Sequence, residues 1–591
     1  MPAVDSRNTN ALWCSVLAET LVRSGLRHAV ISPGSRSTPL TFALVRHPGL
    51  ECVPVVDERS AAFFALGLAK RTHRPVVLLC TSGTAGANYL PAVIEARESG
   101  TPLLVVTADR PPEMRDCMSG QTIDQQKLFG AFVAHFHEFA VPEARLPMLQ
   151  YARQTLAHAV QRTLVPHGGP VHLNMPFRDP LPPIEDASAH DVARAIDEAF
   201  FEHLRPVVPP APAATVWQRP TTTRGLIVAG PASPPDAAGY VRAVQALATG
   251  LGWPILADAL SPLRHHTADA AAVVAHYDVI LRHEPTARDL APRHVLCLEA
   301  WPTSKVLRGW LEESGAEITL VAATADNRDA LHGRTRHLPW PPEALAAEGI
   351  PAAEAGYREA WVRADRSVAE ALRAGLEADA PEGFFEPVAG WTLAHALPDE
   401  TTVFVASSMP VRDVEYFWPH STRRHRFVFN RGANGIDGTL STALGVAHGG
   451  GAAVLLCGDL AFLHDSNGLL LARHLRGSLT VVLINNRGGG IFGHLPVAQF
   501  DPPFEEYFAT PQSVDFAHLC AAHGVPHVRV RDRGHLHALV SASPDAGVRV
   551  LEVRTDRKRD VATRRRLLAA ASGAAGGEAV RPSHESRLKK S

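Results

Sequence analysis

A chain of 591 residues, 46% hydrophobic and 20% charged, is too long for a single core and too apolar for general disorder, so three or four globular units are expected. Lys+Arg 58 against Asp+Glu 60 leaves a net charge of −2, which excludes a global positive field for nucleic acid or an anionic membrane. The seven cysteines are scattered and never form a C-x-x-C pair, which fits a reducing compartment and excludes a zinc ribbon.

The first ten residues lack an apolar core of signal-peptide length, and the strongest apolar runs are strand-sized, so no membrane span and a cytoplasmic location are expected. In chain order, a short run at Val53–Val56 precedes Asp57-Glu58-Arg59 and a helical stretch, Ala61 to Lys70. Strands are predicted at Val76–Cys80 and Leu103–Val106, the first followed by Thr81-Ser82-Gly83-Thr84 and Asn88. After a Pro-rich break, Leu204 to Pro220, come strand-like runs at Gly225–Gly230, Val279–Leu281 and His294–Leu298. A second break, Leu338 to Pro351, leads to buried runs at Ala452–Cys457 and Leu479–Ile484, with a helical stretch, Gly468 to Leu475, between them. The fold class is α/β, with parallel sheets flanked by helices. The expected domains are residues 1–190, a central Rossmann-like unit at 205–350, and a third at 360–560. Residues 561–591 read as a basic, disordered tail. Gly230-Pro-Ala-Ser-Pro-Pro lacks the further glycines of a dinucleotide fingerprint, so the middle unit reads as a spacer.

The first and third units echo each other. Cys457 stands 377 positions beyond Cys80, and Thr480–Leu483 stand at the same offset from Leu103–Val106. The shared register of strand, glycine turn, helix and strand points to duplication, although β-α-β units in general look alike.

Gly458-Asp459 and Asn485-Asn486 each directly follow a buried run, with 25 residues between Asp459 and Asn485. Both pairs therefore fall at carboxyl ends of strands, where open α/β sheets bind ligands. The Asp459 carboxylate, an Asn486 amide oxygen and the Gly488 carbonyl form a hard oxygen set suited to Mg²⁺ (or Mn²⁺) holding a diphosphate. The helix opening after Gly458 aims its amides at the same phosphates. Either dipeptide alone is an ordinary turn pair; their spacing and placement carry the signal.

This pattern resembles the Gly-Asp…Asn-Asn signature of thiamine-diphosphate enzymes, with Leu460 where Gly is usual. The resemblance implies an N-terminal pyrimidine-binding domain and a third diphosphate- and metal-binding domain. It implies thiamine diphosphate as cofactor and Glu58 as the carboxyl that hydrogen-bonds N1′, kept protonated by burial. In isolation Glu58 would read as a solvated helix cap. Thr81, Ser82, Gly83 and Asn88 would line the same ring.

Four further motifs are Ile31-Ser-Pro-Gly-Ser35-Arg36-Ser-Thr-Pro-Leu40, Thr107-Ala-Asp-Arg110-Pro-Pro, Asn430-Arg431-Gly-Ala-Asn-Gly-Ile436-Asp-Gly438 and Asn486-Arg-Gly-Gly-Gly-Ile491-Phe492. Together they resemble the 2-succinyl-5-enolpyruvyl-6-hydroxy-3-cyclohexene-1-carboxylate synthase family of menaquinone biosynthesis, from about Asn10 to Asp556. The resemblance implies decarboxylation of 2-oxoglutarate and 1,4-addition of the succinyl carbanion equivalent to isochorismate. Arg36, Arg110, Arg412 and Arg431 would grip substrate carboxylates, with Ser35, Gln121, Lys305 and Ser408 as polar partners. Ile436 would prop the bent cofactor, and Ile491 and Phe492 would wall its apolar side. Ser119-Gly120 before Gln121 and Val306 after Lys305 depart from the family pattern. A site formed between chains, hence a homodimer or homotetramer, is also implied. Another carboligase, acetolactate-synthase-like, would share Glu58, Asp459 and Asn486 but would not need the Ser35-Arg36 and Asn430-Arg431 motifs.

Overall fold

The structure, a computed structural model, describes residues 4–208, 215–217, 222–266, 273–347, 354–378 and 384–577. Three six-stranded parallel sheets follow one another. The first comprises β1 (His28–Ile31), β2 (Glu51–Pro54), β3 (Val76–Cys80), β4 (Leu103–Asp109), β5 (His135–Glu138) and β6 (Pro170–Pro176), in the order β2-β1-β3-β4-β6-β5. The second comprises β7 (Gly225–Ala229), β8 (Ile255–Ala257), β9 (Val273–Val274), β10 (His294–Leu298), β11 (Glu317–Val321) and β12 (Arg334–Leu338), in the order β9-β8-β7-β10-β11-β12. The third comprises β13 (Thr402–Val405), β14 (Arg426–Phe429), β15 (Ala452–Gly458), β16 (Ser478–Asn485), β17 (His527–Arg529) and β18 (Gly547–Arg554), in the order β14-β13-β15-β16-β18-β17.

Relative to their first strands, the first and third sheets have the same order, so the echo between Val76–Arg110 and Ala453–Arg487 extends to whole-sheet topology. The middle sheet has the 3-2-1-4-5-6 order of a Rossmann unit. Every residue of β3, β4 and β16 is buried, as a parallel sheet covered on both faces requires.

Seven helices position the site: α1 (Glu58–Thr72), α2 (Lys305–Ser314), α3 (Glu386–Ala396), α4 (Met409–Phe417), α5 (Thr439–Gly450), α6 (Asp459–His464) and α7 (Arg557–Ala574). Helices α1 and α5 join the first and third domains at backbone contact. A Cβ on Gly67 would stand 2.0 Å from the Thr442 carbonyl oxygen, and one on Gly445 2.0 Å from that of Phe64. Phe63, Phe64, Leu440 and Leu444 then share one apolar core with β3 and β15.

Two expectations need correction. Val279–Leu281 is not a strand: Tyr277–Ile280 is one helical turn, with Tyr277, Val279 and Ile280 buried. A three-residue apolar run carries no period that separates strand from buried helix. Nor is the chain frayed from residue 561. Asp556 caps α7 by accepting from the Lys558 and Arg559 amides. Leu567, Leu568 and Ala571 pack into a core with Trp361, Val368 and Leu372. The basic residues hid a helix whose buried positions, Asp560, Arg564, Leu567, Leu568, Ala571 and Ser572, follow a 4-3-1-3-1 spacing. Residues 578–591 lie outside the described residues.

Gly230 ends β7 against the chain itself: a Cβ there would stand 1.6 Å from the Ala300 carbonyl oxygen, so this glycine serves packing.

Candidate active site

Strands β15 and β16 pair in parallel with Gly458 opposite Ile484, which sets Asp459 beside Asn485 and Asn486 at adjacent strand ends. Asp459 is 2% exposed and opens α6. Its Oδ1 accepts from the Leu460 amide at 2.7 Å and its Oδ2 from the Gly488 amide at 2.9 Å. Burial is the main cause that pushes its pKa up to about 6, and the nearby Glu386 carboxylate adds to it. Asn486, 6% exposed, donates from Nδ2 to Glu386 Oε1 at 3.3 Å. Its Oδ1 is buried and meets no hydrogen-bond partner among the described residues. Asn485 takes a different part, donating to Glu552 at 2.7 Å.

In the first domain, Asp57 caps α1 and places Glu58 as its first residue, half-buried rather than buried in the single chain. Burial raises the Cys80 thiol and the Tyr89 phenol, and the Glu58 carboxylate raises both further. Its neighbours reach the third domain: Asn467 donates to Asp57 at 2.6 Å, and Arg59 to the His464 carbonyl at 2.9 Å. Thr81 and Ser82, just past β3, are buried; Gly83, at φ 86°, turns the chain into the next helix and donates to Gln125 at 2.8 Å. Asn88 is exposed, its amide donating to the Thr84 carbonyl at 3.1 Å.

The substrate-binding candidates fall into two groups. Arg110 donates to Ser82 Oγ and, at 2.8 Å, to the Gln121 carbonyl, while Gln121 donates back to the Ser82 carbonyl at 3.0 Å. Arg36, buried, donates to the Phe177 carbonyl at 3.0 Å, and its Nε is buried without a partner among the described residues. Burial lowers the pKa of Arg110, and the Arg36 charge lowers it further. Ser35 is exposed on the same loop.

The second group centres on α4. Ser408 stands just before it at φ 74°, and Arg412 donates to the Ser408 carbonyl at 2.5 Å. Arg412 and Arg431 are both lowered in pKa, first by burial and also by the charge of Arg308. Arg308, one turn beyond Lys305 on α2, was not visible as a candidate in the sequence; it supplies a basic residue here, while Lys305 is exposed at the helix start. Arg308 and Arg431 line a cavity of about 550 Å³ where the three domains meet, with Lys70, Glu299 and Trp301. Glu95, also missed, fixes the Arg431 loop: it accepts the Gly432 and Ala433 amides at 3.1 and 2.7 Å and the Lys70 ammonium at 3.0 Å.

Ile436 lies in the loop before α5, its carbonyl accepting from Thr439 at 2.7 Å. Ile491 and Phe492 ride on the turn Gly490–His494, both half-buried, Phe492 against Phe508. Among the described residues no group of three or more His, Cys, Asp or Glu side chains could hold a metal, so a metal here needs the amide and carbonyl donors beside Asp459. No described helix is long and apolar enough to cross a membrane.

Comparison with known proteins gives the family. The description "Thiamine pyrophosphate enzyme, N-terminal TPP binding domain" matches residues 14–128, "Middle domain of thiamine pyrophosphate" residues 199–405, and "Thiamine pyrophosphate enzyme, C-terminal TPP binding domain" residues 411–553. Two sheets of the same strand order around a Rossmann unit, with the matching domain descriptions, define a thiamine-diphosphate-dependent enzyme. The 2-succinyl-5-enolpyruvyl-6-hydroxy-3-cyclohexene-1-carboxylate synthase of Synechococcus sp. (strain JA-3-3Ab) is 51% identical over 95% of this chain and 96% of its own. Those of Thermosynechococcus vestitus and Nostoc sp. are 49% and 48% identical, over 96% and 95% of this chain and 100% and 97% of theirs. The chain belongs to this synthase family, whose enzymes form a carbon–carbon bond.

Proposed function

We propose that the chain joins 2-oxoglutarate to isochorismate with loss of CO₂, using thiamine diphosphate and Mg²⁺ held by Asp459, Asn486 and the Gly488 carbonyl. The observation that carries the metal is the buried Asn486 Oδ1 without a partner, beside a buried carboxylate. A buried amide oxygen left unpaired is costly unless a ligand completes it, and hard oxygen donors suit Mg²⁺.

The relatives' name dissects into the two substrates. A 2-succinyl group is 2-oxoglutarate less its carboxyl, and a hydroxylated ring acid bearing an enolpyruvyl ether is isochorismate. Overall, the bond from C1 to C2 of 2-oxoglutarate breaks, CO₂ leaves, C2 bonds to one end of the ring's conjugated diene acid, one ring C=C bond is lost, and the ring carbon beside the carboxylate takes up one proton. When bound, thiamine diphosphate supplies the nucleophilic carbon and the electron sink for this exchange. The protein's residues do the rest. Glu58 would hydrogen-bond the pyrimidine nitrogen, and Ile436, Ile491 and Phe492 would keep water from the reacting face. Arg36 and Arg110, braced by Ser82 and Gln121, and Arg412 and Arg431, with Arg308, orient the carboxylates. Burying each carboxylate costs on the order of several kcal/mol unless a fixed cation meets it.

The site is completed by a second copy of the chain, so at least a homodimer forms, in the cytoplasm. Glu58 is only half-buried alone, and Val56 two residues away is 63% exposed. The test is product formation from both substrates by wild type and Glu58→Gln. Loss of turnover with thiamine diphosphate still bound supports Glu58 as the carboxyl that engages the pyrimidine nitrogen; undiminished turnover removes it from that role.

A further inference from the structure

We propose that Glu386 is a positioning residue that turns the Asn486 carbonyl oxygen toward the metal, and that Arg564 on α7 holds Glu386 in place to do so. The inference rests on the reading of Asn486 as a metal ligand.

The part of the Asn486 amide that faces Glu386 is its NH₂, Nδ2 donating to Oε1 at 3.3 Å. That leaves Oδ1, the only metal-competent atom of the side chain, on the opposite side, where it is buried and unpaired among the described residues. Gly490 confines the amide further: a Cβ there would lie 2.7 Å from Asn486 Nδ2. Glu386 is itself held, its Oε2 accepting from Arg564 at 3.1 Å and its backbone amide donating to Asp560 at 3.2 Å.

Arg564 is 2% exposed and serves three site segments at once. It donates to Glu386, to Asp413 Oδ1 at 3.0 and 2.7 Å, and at 3.0 Å to His494 Nε2. Asp413 follows Arg412 on α4, and His494 ends the turn that carries Ile491 and Phe492. A guanidinium can only donate, so His494 must present a lone pair there and remain neutral. One planar fork thus ties the metal side, a substrate arginine and the apolar wall to α7, which lies beyond residue 553, where the match to the C-terminal TPP binding domain ends.

The test is Mn²⁺ binding to the full-length protein with thiamine diphosphate at pH 8, read from free Mn²⁺ by electron paramagnetic resonance. In Glu386→Gln the carboxamide turns its oxygen to Arg564 and its NH₂ to Asn486, which drives the Asn486 amide to present nitrogen to the metal. Mn²⁺ affinity is expected to fall about 10- to 100-fold, with cooperative unfolding retained. Asn486→Ala is the reference. If Asn486→Ala binds Mn²⁺ as wild type does, the metal-ligand reading fails. If Asn486→Ala weakens binding but Glu386→Gln does not, the positioning role alone is overturned, and a Glu386→Gln protein with a lower Tm but wild-type affinity overturns it equally. Arg564→Met is expected to weaken Mn²⁺ in the same sense wherever it folds.

Discussion

The Asp459 carboxylate and the Gly488 amide are joined by a 2.9 Å hydrogen bond that ties the end of β15 to the loop after β16. It holds a buried acid against the loop whose carbonyl is proposed as the third metal donor. Burial raises that acid to about 6, so below this pH it is protonated and an incoming cation must displace the proton. Each pH unit below 6 then costs about 1.4 kcal/mol of metal binding. The apparent Mg²⁺ affinity should fall about tenfold per unit as pH drops below 6 and level off above it. Thermal shift with thiamine diphosphate and Mg²⁺ from pH 5 to 8 checks this; a pH-independent shift contradicts it.

Arg110 contributes charge to a cluster already braced by Ser82 and Gln121, so its truncation should cost binding more than folding. Losing a hydrogen bond to a charged group costs about 1.5–3 kcal/mol, or about 10- to 150-fold in kcat/KM for Arg110→Ala. Steady-state kinetics with each substrate varied in turn shows which carboxylate it meets.

The α1–α5 crossing leaves no room for a side chain at Gly445, where a Cβ would meet backbone rather than a flexible side chain. Gly445→Val should destabilise the chain by about 3 kcal/mol or more, read as a large drop in urea midpoint. Because the crossing sets the two strand-end clusters, thiamine diphosphate binding should weaken with it.

Helix α7 is held by its apolar face, and Leu568 is 6% exposed in a core with Trp361 and Leu372. Leu568→Ala should cost about 2–4 kcal/mol in chemical denaturation, whereas a frayed tail would register no change.

Much of the fold, and the strand-end position of the candidate site residues, was legible in the sequence for one physical reason: buried parallel strands are continuous apolar runs, and the residues just past them lie at the ligand edge of a sheet. That is why Asp459, Asn486, Thr81 and Arg110 could be placed from the sequence alone, and why the Cys80–Cys457 register foreshadowed two sheets of one order. The residues that stayed hidden depend on tertiary contact. Glu386 meets Asn486 across 100 residues, and Glu95 meets Ala433 across 338, with no local pattern to announce either. Arg564 sits in a run of arginines that reads as solvated charge until α7 buries one of them. Val279–Leu281 misled because three apolar residues fit a helical turn as well as a strand.

The most direct test of the central claim is CO₂ release from 1-¹³C-labelled 2-oxoglutarate by the purified protein with thiamine diphosphate and Mg²⁺, with isochorismate present or absent. Isochorismate-dependent turnover, with one CO₂ released per ring product formed, is the expected result. Turnover of pyruvate in place of 2-oxoglutarate, or no CO₂ from a protein with cofactor bound, would contradict it.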